Sequence, residues 1–238
     1  MTTRTTLEAK ARRLCELLAA HYGDKISPRR LAPVDELVLT ILSQNTTDTN
    51  AWHAFEELKS RFSSWEELLD GDPEDVEEAI RPSGAFRVKT QRILAALREI
   101  GSRVGRLDLT CLGEMPLDEA MSWLTSLHGV GPKTAAIVLL FSFHRPVLPV
   151  DTHVYRVSRR IGLIGKRVTR EKAPSILESL IPVECIFSLN HNLVRHGRSV
   201  CRARSPLCSE CFLQDICDYA HQSGVAGQRQ PSKGPSGE

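Results

Sequence analysis

The sequence has no apolar run long enough to span a membrane. Its longest run, Thr134 to Phe143, holds about ten residues, whereas a transmembrane helix needs roughly twenty. The first ten residues are polar and carry charges of both signs, so they lack the apolar segment of a secretory signal. We therefore expect a cytoplasmic protein.

The sequence also lacks the alternation of apolar and polar residues that marks a β-strand. Apolar residues instead recur at helical spacing, and Ala135 to Phe143 is apolar on every side, which predicts a central buried helix. Other helices are expected from about Thr6 to His21 and with starts near Thr152, Thr169 and Cys185. The pattern predicts an all-α protein.

The net charge is small, +2 at neutral pH, but the charges are unevenly distributed. Residues 66–78 contain eight acidic groups and no basic one. Residues 156–204 contain eleven Lys or Arg against three acidic groups. Such a basic segment can attract a polyanion, although two solvated helical faces without a partner would show the same pattern.

Seven cysteines, an odd number, argue against a disulfide framework and for a metal site. Four of them follow the spacing Cys-x6-Cys-x2-Cys-x5-Cys, namely Cys201, Cys208, Cys211 and Cys217. Four thiolates can hold zinc or an iron–sulfur cluster, and the spacing by itself leaves both open. The other three, Cys15, Cys111 and Cys185, are expected to be small core residues.

The segment Leu-His-Gly-Val-Gly-Pro-Lys-Thr-Ala-Ala, residues 127–136, predicts two helices joined by a tight turn. Gly129 and Gly131 bracket the turn and let a ligand approach the backbone. The free amides at the start of the second helix can bind an anion, above all a nucleic acid phosphate. A plain helical hairpin with a glycine-rich turn would have the same sequence.

Two charged residues near this turn are candidates for chemistry. Lys133 falls in the first turn of a helix, where the macrodipole disfavours a cation and favours the neutral, nucleophilic amine. Asp151, in Val-Asp-Thr-His-Val-Tyr-Arg-Val, could take a proton from that amine and stabilise positive charge on a sugar. The alternatives are a simple phosphate contact for Lys133 and a helix N-cap for Asp151.

Together these residues resemble the helix-hairpin-helix and Gly/Pro-rich loop of base-excision DNA glycosylases, and above all the endonuclease III family. The resemblance includes Leu-Ser-Gln-Asn-Thr-Thr-Asp at 42–48 and the four cysteines, and it covers roughly residues 6–220. It implies a two-lobed all-α fold with DNA across the groove between the lobes. The helical bundle would be 23–145 and the cluster domain 1–22 plus 146–220. Residues 221–238 are rich in Gly, Ser, Gln and Pro, so we expect them to form a disordered tail.

The resemblance implies a bifunctional DNA glycosylase and abasic-site lyase that excises oxidised or ring-saturated pyrimidines from double-stranded DNA. Lys133 would attack C1′ of the extruded nucleotide and form a Schiff base, with help from Asp151. The four cysteines would hold a [4Fe-4S] cluster as a scaffold. The family also suggests a monomer associated with the nucleoid.

Other residues acquire DNA-binding roles from the same resemblance. Those expected to contact the phosphate backbone are Gly129, Gly131, His153, Arg198, Arg202 and Arg204. Asn45 matches the family's gap-filling glutamine, with Gln44 beside it.

The loop 82–87 departs from the family pattern. Ser83 and Ala85 stand where relatives often carry bulky aliphatic wedges, so Phe86 or Arg87 is expected to compensate. For Phe86, an ordinary place in the core is the alternative.

The altered loop leaves room for a second enzyme class, one that acts mainly on abasic sites or on mismatched thymine or uracil. A third possibility is a DNA-binding cluster protein without catalysis. The presence of both Lys133 and Asp151 disfavours that third possibility.

Overall fold

The computed structural model describes residues 3–24 and 31–224. Every regular element in these residues is helical, which confirms the predicted all-α fold. None of their helices is both long and apolar enough to cross a bilayer. The α-helices are α1 (Arg4–Tyr22), α2 (Pro33–Leu42), α3 (Asp48–Arg61), α4 (Trp65–Asp70), α5 (Pro73–Ile80), α6 (Phe86–Val104), α7 (Leu117–Thr125), α8 (Pro132–Phe143), α9 (Thr152–Ile161), α10 (Ala173–Glu178), α11 (Ile186–Ser199) and α12 (Asp218–Gln222).

The chain divides into two compact units. The central unit is Pro28–Arg145, and the terminal unit combines Met1–Ser27 with Pro146–Glu238. The terminal unit is thus built from both ends of the chain, while the central unit is one continuous segment.

Helix α8 forms the middle of the central unit, as its all-apolar sequence predicts. Ala135, Val138 and Leu139 are fully buried, and α8 packs mainly on α2. Leu37 and Ile41 of α2 are equally inaccessible to solvent. Because α8 is buried on nearly all sides, its first turn is held in a fixed position at the edge of the unit.

The terminal unit is organised around α11, which packs against both α1 and α9. Ala11, Leu14 and Leu18 form the buried stripe of α1. This helix begins at Arg4, slightly before the predicted start, because Thr3 serves as its N-cap and accepts a hydrogen bond from the Thr6 amide.

Four details differ from the sequence-based expectations. The helix expected near Thr169 begins at Ala173, since residues 169–172 form a turn and Pro174 favours a helix start. Of the three cysteines expected in the core, only Cys15 is buried. Cys111 is exposed in a 3₁₀ turn in which Leu112 is the buried residue, and Cys185 is only partly buried. Residues 221–222 end α12, so they are not disordered, because Ala220 anchors that helix in the core. Residues 225–238 of the expected tail lie outside the described residues.

Candidate functional site

The turn between α7 and α8 needs glycine for two reasons at Gly129. Its φ is +80°, in the left-handed region that disfavours other residues. A Cβ at this position would also lie 2.6 Å from Cγ of Arg92, because that side chain lies directly against the turn. The turn therefore depends on contact with α6 as well as on its own sequence.

Gly131 is the N-cap of α8 and offers no side chain to the first-turn amides. A Cβ there would meet no atom within 4 Å, so the space in front of these amides is open. Pro132 occupies the first helical position, where its missing N–H is not needed. Uncapped amides next to open space are suited to bind an anion.

Lys133 is exposed in the first turn of α8. Its neighbours Thr134 and Ala135 are buried, so the backbone that carries the lysine is fixed. Within residues 3–24 and 31–224, its ammonium group has no hydrogen-bond or ion-pair partner. An unpaired amine on a rigid helix start is available to an incoming ligand.

Asp151 is the N-cap of α9 and lies in the terminal unit, whereas Lys133 belongs to the central unit. Its Oδ1 accepts hydrogen bonds from the amides of His153 at 2.8 Å and Val154 at 2.7 Å. The capping role is therefore real. Because one oxygen accepts both bonds, the cap leaves the second oxygen for another function.

The chain leading to Asp151 is held by two residues that the sequence analysis missed. The buried Asn190 of α11 donates to the Pro149 carbonyl at 2.8 Å, and Glu178 accepts from the Leu148 amide at 2.7 Å. Burial raises the pKa of Glu178. A polar residue within the apolar stripe of α11 is the signal that could have identified Asn190.

His153 is half-buried, and its contact with Arg156 indicates which ring nitrogen carries the proton when the ring is neutral. The Arg156 guanidinium lies 3.1 Å from His153 Nδ1 and also donates to the Gly197 carbonyl at 2.8 Å. Since a guanidinium can only donate, Nδ1 is an acceptor and the neutral ring carries its proton on Nε2. Gly197 is required because a Cβ there would lie 2.8 Å from Cβ of His153.

The four clustered cysteines line a single cavity in the terminal unit, together with Val157, Ile161 and Leu207 among others. None of the four forms a disulfide. In the described part of the chain, no three His, Cys, Asp or Glu side chains form a site for a single metal ion. Four thiols around an apolar cavity match the donor set of an iron–sulfur cluster.

Three of the thiols in this cavity, those of Cys208, Cys211 and Cys217, are disfavoured as isolated anions. Burial, together with the neighbouring thiols, raises the pKa of Cys211 to about 12. Burial also raises the pKa of Cys208 and Cys217. A cationic iron centre would supply the positive charge that stabilises these thiolates.

Polar contacts to the cysteine loop come from residues outside it. Arg160 of α9 donates to Cys201 Sγ at 3.3 Å and to the carbonyls of Arg202 and Ala203 at 2.6 and 3.1 Å. His196 Nε2 lies 3.5 Å from Cys211 Sγ. Inside the loop, Gln214 donates to the Cys208 carbonyl at 2.5 Å.

The predicted DNA-contacting arginines of the terminal unit all lie on its surface. Arg202 and Arg204 are exposed in the segment that Arg160 supports, and Arg198 is exposed near the end of α11. These three are the exposed basic groups closest in sequence to the cysteines.

The predicted gap-filling residues lie in two loops of the central unit. Asn45 is exposed and left-handed at φ +54°, whereas Gln44 is half-buried and accepts a 2.5 Å hydrogen bond from Arg92. Ser83 is fully buried, so its side chain cannot act as a wedge. Exposed Ala85 is too short to fill a gap left by a base.

Phe86 is half-exposed and thus is not a core aromatic. Two guanidinium groups lie near its ring, with Cζ of Arg81 at 5.2 Å and Cζ of Arg87 at 5.8 Å from the ring centroid. Arg87 is exposed and forms a 3.6 Å ion pair with Glu77. A partly exposed ring near two cations is suited to stack on a nucleobase.

Comparisons with known proteins agree with this arrangement. Residues 38–183 match the model of the HhH-GPD superfamily of base excision DNA repair proteins, and residues 201–217 match the iron–sulfur binding domain of endonuclease III. Endonuclease III of Thermotoga maritima is 36% identical over 192 residues, which are 81% of this chain and 85% of that protein.

Solved structures show the same fold. A non-covalent endonuclease III–DNA complex has a TM-score of 0.78 at 27% identity and covers 91% of this chain and 98% of that one. A trapped covalent endonuclease III–DNA intermediate has a TM-score of 0.77 at 25% identity, covering 94% and 100%. The chain belongs to the endonuclease III family of helix-hairpin-helix base excision repair proteins, as a DNA-binding glycosylase/lyase that carries a [4Fe-4S] cluster.

Proposed function

We propose that this enzyme is a bifunctional glycosylase and abasic-site β-lyase that removes oxidised pyrimidines from double-stranded DNA. The observation that carries the proposal is the unpaired, exposed Lys133 directly after the uncapped turn that ends at Gly131. The turn provides amides for a backbone phosphate, and the lysine provides a nucleophile next to that phosphate. We also propose that it works as a cytoplasmic, nucleoid-associated monomer.

In the proposed reaction, the lone pair of Lys133 Nζ forms a bond to C1′ while the bond from C1′ to the base breaks. The base leaves with the electron pair and is protonated. The nitrogen on C1′ then loses a proton, and the sugar ring opens as the bond between C1′ and the ring oxygen breaks and that oxygen takes up a proton, which gives a Schiff base. Loss of a proton from C2′ expels the 3′ phosphate and breaks the strand.

Asp151 has a double role in this proposal. One carboxylate oxygen keeps the α9 start in place by capping it. The second oxygen, which the cap leaves free, acts as a base and stabilises the positive charge that develops on the sugar. The Nε2–H of His153 donates to a nearby phosphate, since Arg156 occupies the other ring nitrogen.

We assign the space left by the extruded base to Asn45 and Phe86. Asn45 is the exposed member of its loop, and Phe86 provides a partly exposed aromatic face beside two arginines. Ser83 is excluded because it is buried. The buried Ser83 and short Ala85 also favour a second candidate, an enzyme acting mainly on abasic sites or mismatched thymine or uracil.

We assign the cluster ligands to Cys201, Cys208, Cys211 and Cys217, which share one cavity. When bound, the cluster joins four points of a segment that has little regular structure. The protein's own contribution is to hold that segment from outside through Arg160 and to present Arg202 and Arg204 to DNA phosphates.

Borohydride trapping tests the proposal on duplexes that carry one thymine glycol, one uracil or one abasic site. The expected result is a covalent protein–DNA band with thymine glycol that is absent for Lys133→Gln and retained for Lys166→Gln, which removes another exposed lysine. A band with the abasic or uracil duplex alone would favour the second candidate. No band on any duplex from protein with an intact cluster would overturn the bifunctional mechanism.

A further inference from the structure

A buried ammonium group joins two loops of the central unit. Lys89 of α6 is 2% exposed, and its Nζ donates to the carbonyls of Leu42 at 2.7 Å and Ser83 at 2.6 Å. Leu42 ends α2, where a free carbonyl and the negative end of the helix dipole favour a cation. Burial and the nearby Arg92 lower the pKa of Lys89 to about 8, so most of the population is charged at neutral pH.

One turn further along α6, Arg92 contacts both the loop that contains Gln44 and the turn at Gly129. Its guanidinium donates to Gln44 Oε1 at 2.5 Å. Its aliphatic stem fills the space in which a Cβ of residue 129 would lie, so it packs directly on the hairpin turn at Gly129. Residues three positions apart share one helix face, so Lys89 and Arg92 act from the same side of α6.

The two loops held in this way contain unfavourable backbone conformations. Asn45 follows the residue bound by Arg92 and has φ +54°. Gly84 and Ala85 follow the residue bound by Lys89, with φ +69° and +47°. A left-handed alanine persists only where its surroundings impose it. The contacts from α6 are therefore suited to hold both loops in shape before DNA arrives.

From these contacts we infer that Lys89 and Arg92 are positioning residues that join loops 43–47 and 81–85 and the turn 127–131 into one preformed DNA-binding surface. The inference rests on the proposed function for the identity of that surface. Neither residue contacts the reacting atoms in this scheme. Their effect is to lower the conformational entropy that the loops would otherwise lose on binding.

The test uses the cluster-containing protein with Arg92→Met, which keeps the stem against Gly129 and removes the guanidinium. Arg98→Met is the matched control, because it removes the same charge from an exposed position of the same helix. Binding is measured on a duplex with a tetrahydrofuran abasic analogue over a range of salt concentrations. Amide hydrogen exchange is measured on the DNA-free protein.

We expect Arg92→Met to weaken binding about tenfold, or 1.4 kcal/mol, and Arg98→Met to have a much smaller effect. Amides of 43–47 should exchange faster in Arg92→Met alone. The slope of the logarithm of the binding constant against the logarithm of the salt concentration should be the same for the two variants. If Arg92 contacted a phosphate directly, its loss would reduce that slope by about one in Arg92→Met alone.

Lys89→Met extends the test, with faster exchange expected in 81–85 as well as at the end of α2. If that variant fails to fold, Arg92→Met decides the question. Unchanged exchange at 43–47, or equal binding by the two arginine variants, would overturn the inference. Since exchange is measured without DNA, this result is independent of whether the parent protein cleaves any substrate.

Discussion

Helices α8 and α9 follow one another along the chain, yet they begin in opposite ways. The start of α8 has no side-chain cap and carries Lys133 where the helix dipole disfavours a cation. The start of α9 is capped by Asp151, which accepts from two amides. The first helix start is thus open to a ligand at some cost in stability, and the second is closed. The start of α8 is therefore suited to ligand binding and the start of α9 to local stability, although the two helices are consecutive in the sequence.

Among variants that keep the Lys133 nucleophile, Asp151→Asn should have the largest effect on turnover. Asparagine caps helices about as well as aspartate, so the free energy of unfolding should stay within about 0.5 kcal/mol of the parent. Loss of the carboxylate should slow single-turnover base removal by about a hundredfold or more. Asp151→Ala should show the same loss of rate and about 1 kcal/mol lower stability. A full rate for Asp151→Asn would mean that the residue serves only as a cap.

Gly131→Asp should make the start of α8 resemble that of α9. The φ of −91° at this residue suits any side chain, and no atom lies within 4 Å of the added Cβ. The new carboxylate should cap the free amides and repel phosphate, which weakens binding to an abasic-analogue duplex by about tenfold or more. Gly131→Asn separates the two causes, because it caps without charge. Unchanged DNA affinity in both variants would contradict the assigned role of the turn.

The start of α2 is a third kind of helix start, and it should make the stability of the protein depend on pH. Ala32 provides no cap, and burial raises the pKa of Glu36, in the first turn, from 4.5 to about 7. The folded state therefore binds this proton more tightly than the unfolded chain, and stability should fall as pH rises from 4.5 to 7. Glu36→Gln should remove that part of the decline and stabilise the protein above pH 7 by about 1–3 kcal/mol. Urea unfolding at pH 5 and pH 8 measures both effects; equal gains at the two pH values would exclude this cause.

Lys133→Gln, which removes the nucleophile, should give the smallest change in the free energy of unfolding, and that change should be a gain. Removal of a cation from the first turn of α8 relieves its unfavourable interaction with the helix dipole, worth about 0.3–1 kcal/mol at low salt. Lys166→Gln, in a surface turn, should change the free energy of unfolding much less. The gain should shrink as salt is added. Lower stability in Lys133→Gln would show that the lysine supports the fold.

The sequence predicted those parts of the site that depend on local backbone chemistry. The glycine turn at 129–131 and the Asp151 cap follow from residue types at fixed offsets, and the structure has both. The burial of Ser83 could not be predicted, since it depends on the left-handed residues that follow it and on Lys89. The role of Lys89 could not be predicted either, because its two carbonyl partners come from other segments of the fold.

The division of the chain also sets an order for its synthesis. Helix α1 is synthesised before the central unit, but its apolar stripe at Ala11, Leu14 and Leu18 packs on α11, which is synthesised after that unit. The whole central unit is made in between, and as one continuous segment it can fold as soon as it emerges. The stripe on α1 stays without its partner throughout that time. The terminal unit, and with it the cavity lined by the four cysteines, can therefore be completed only after the central unit has been synthesised.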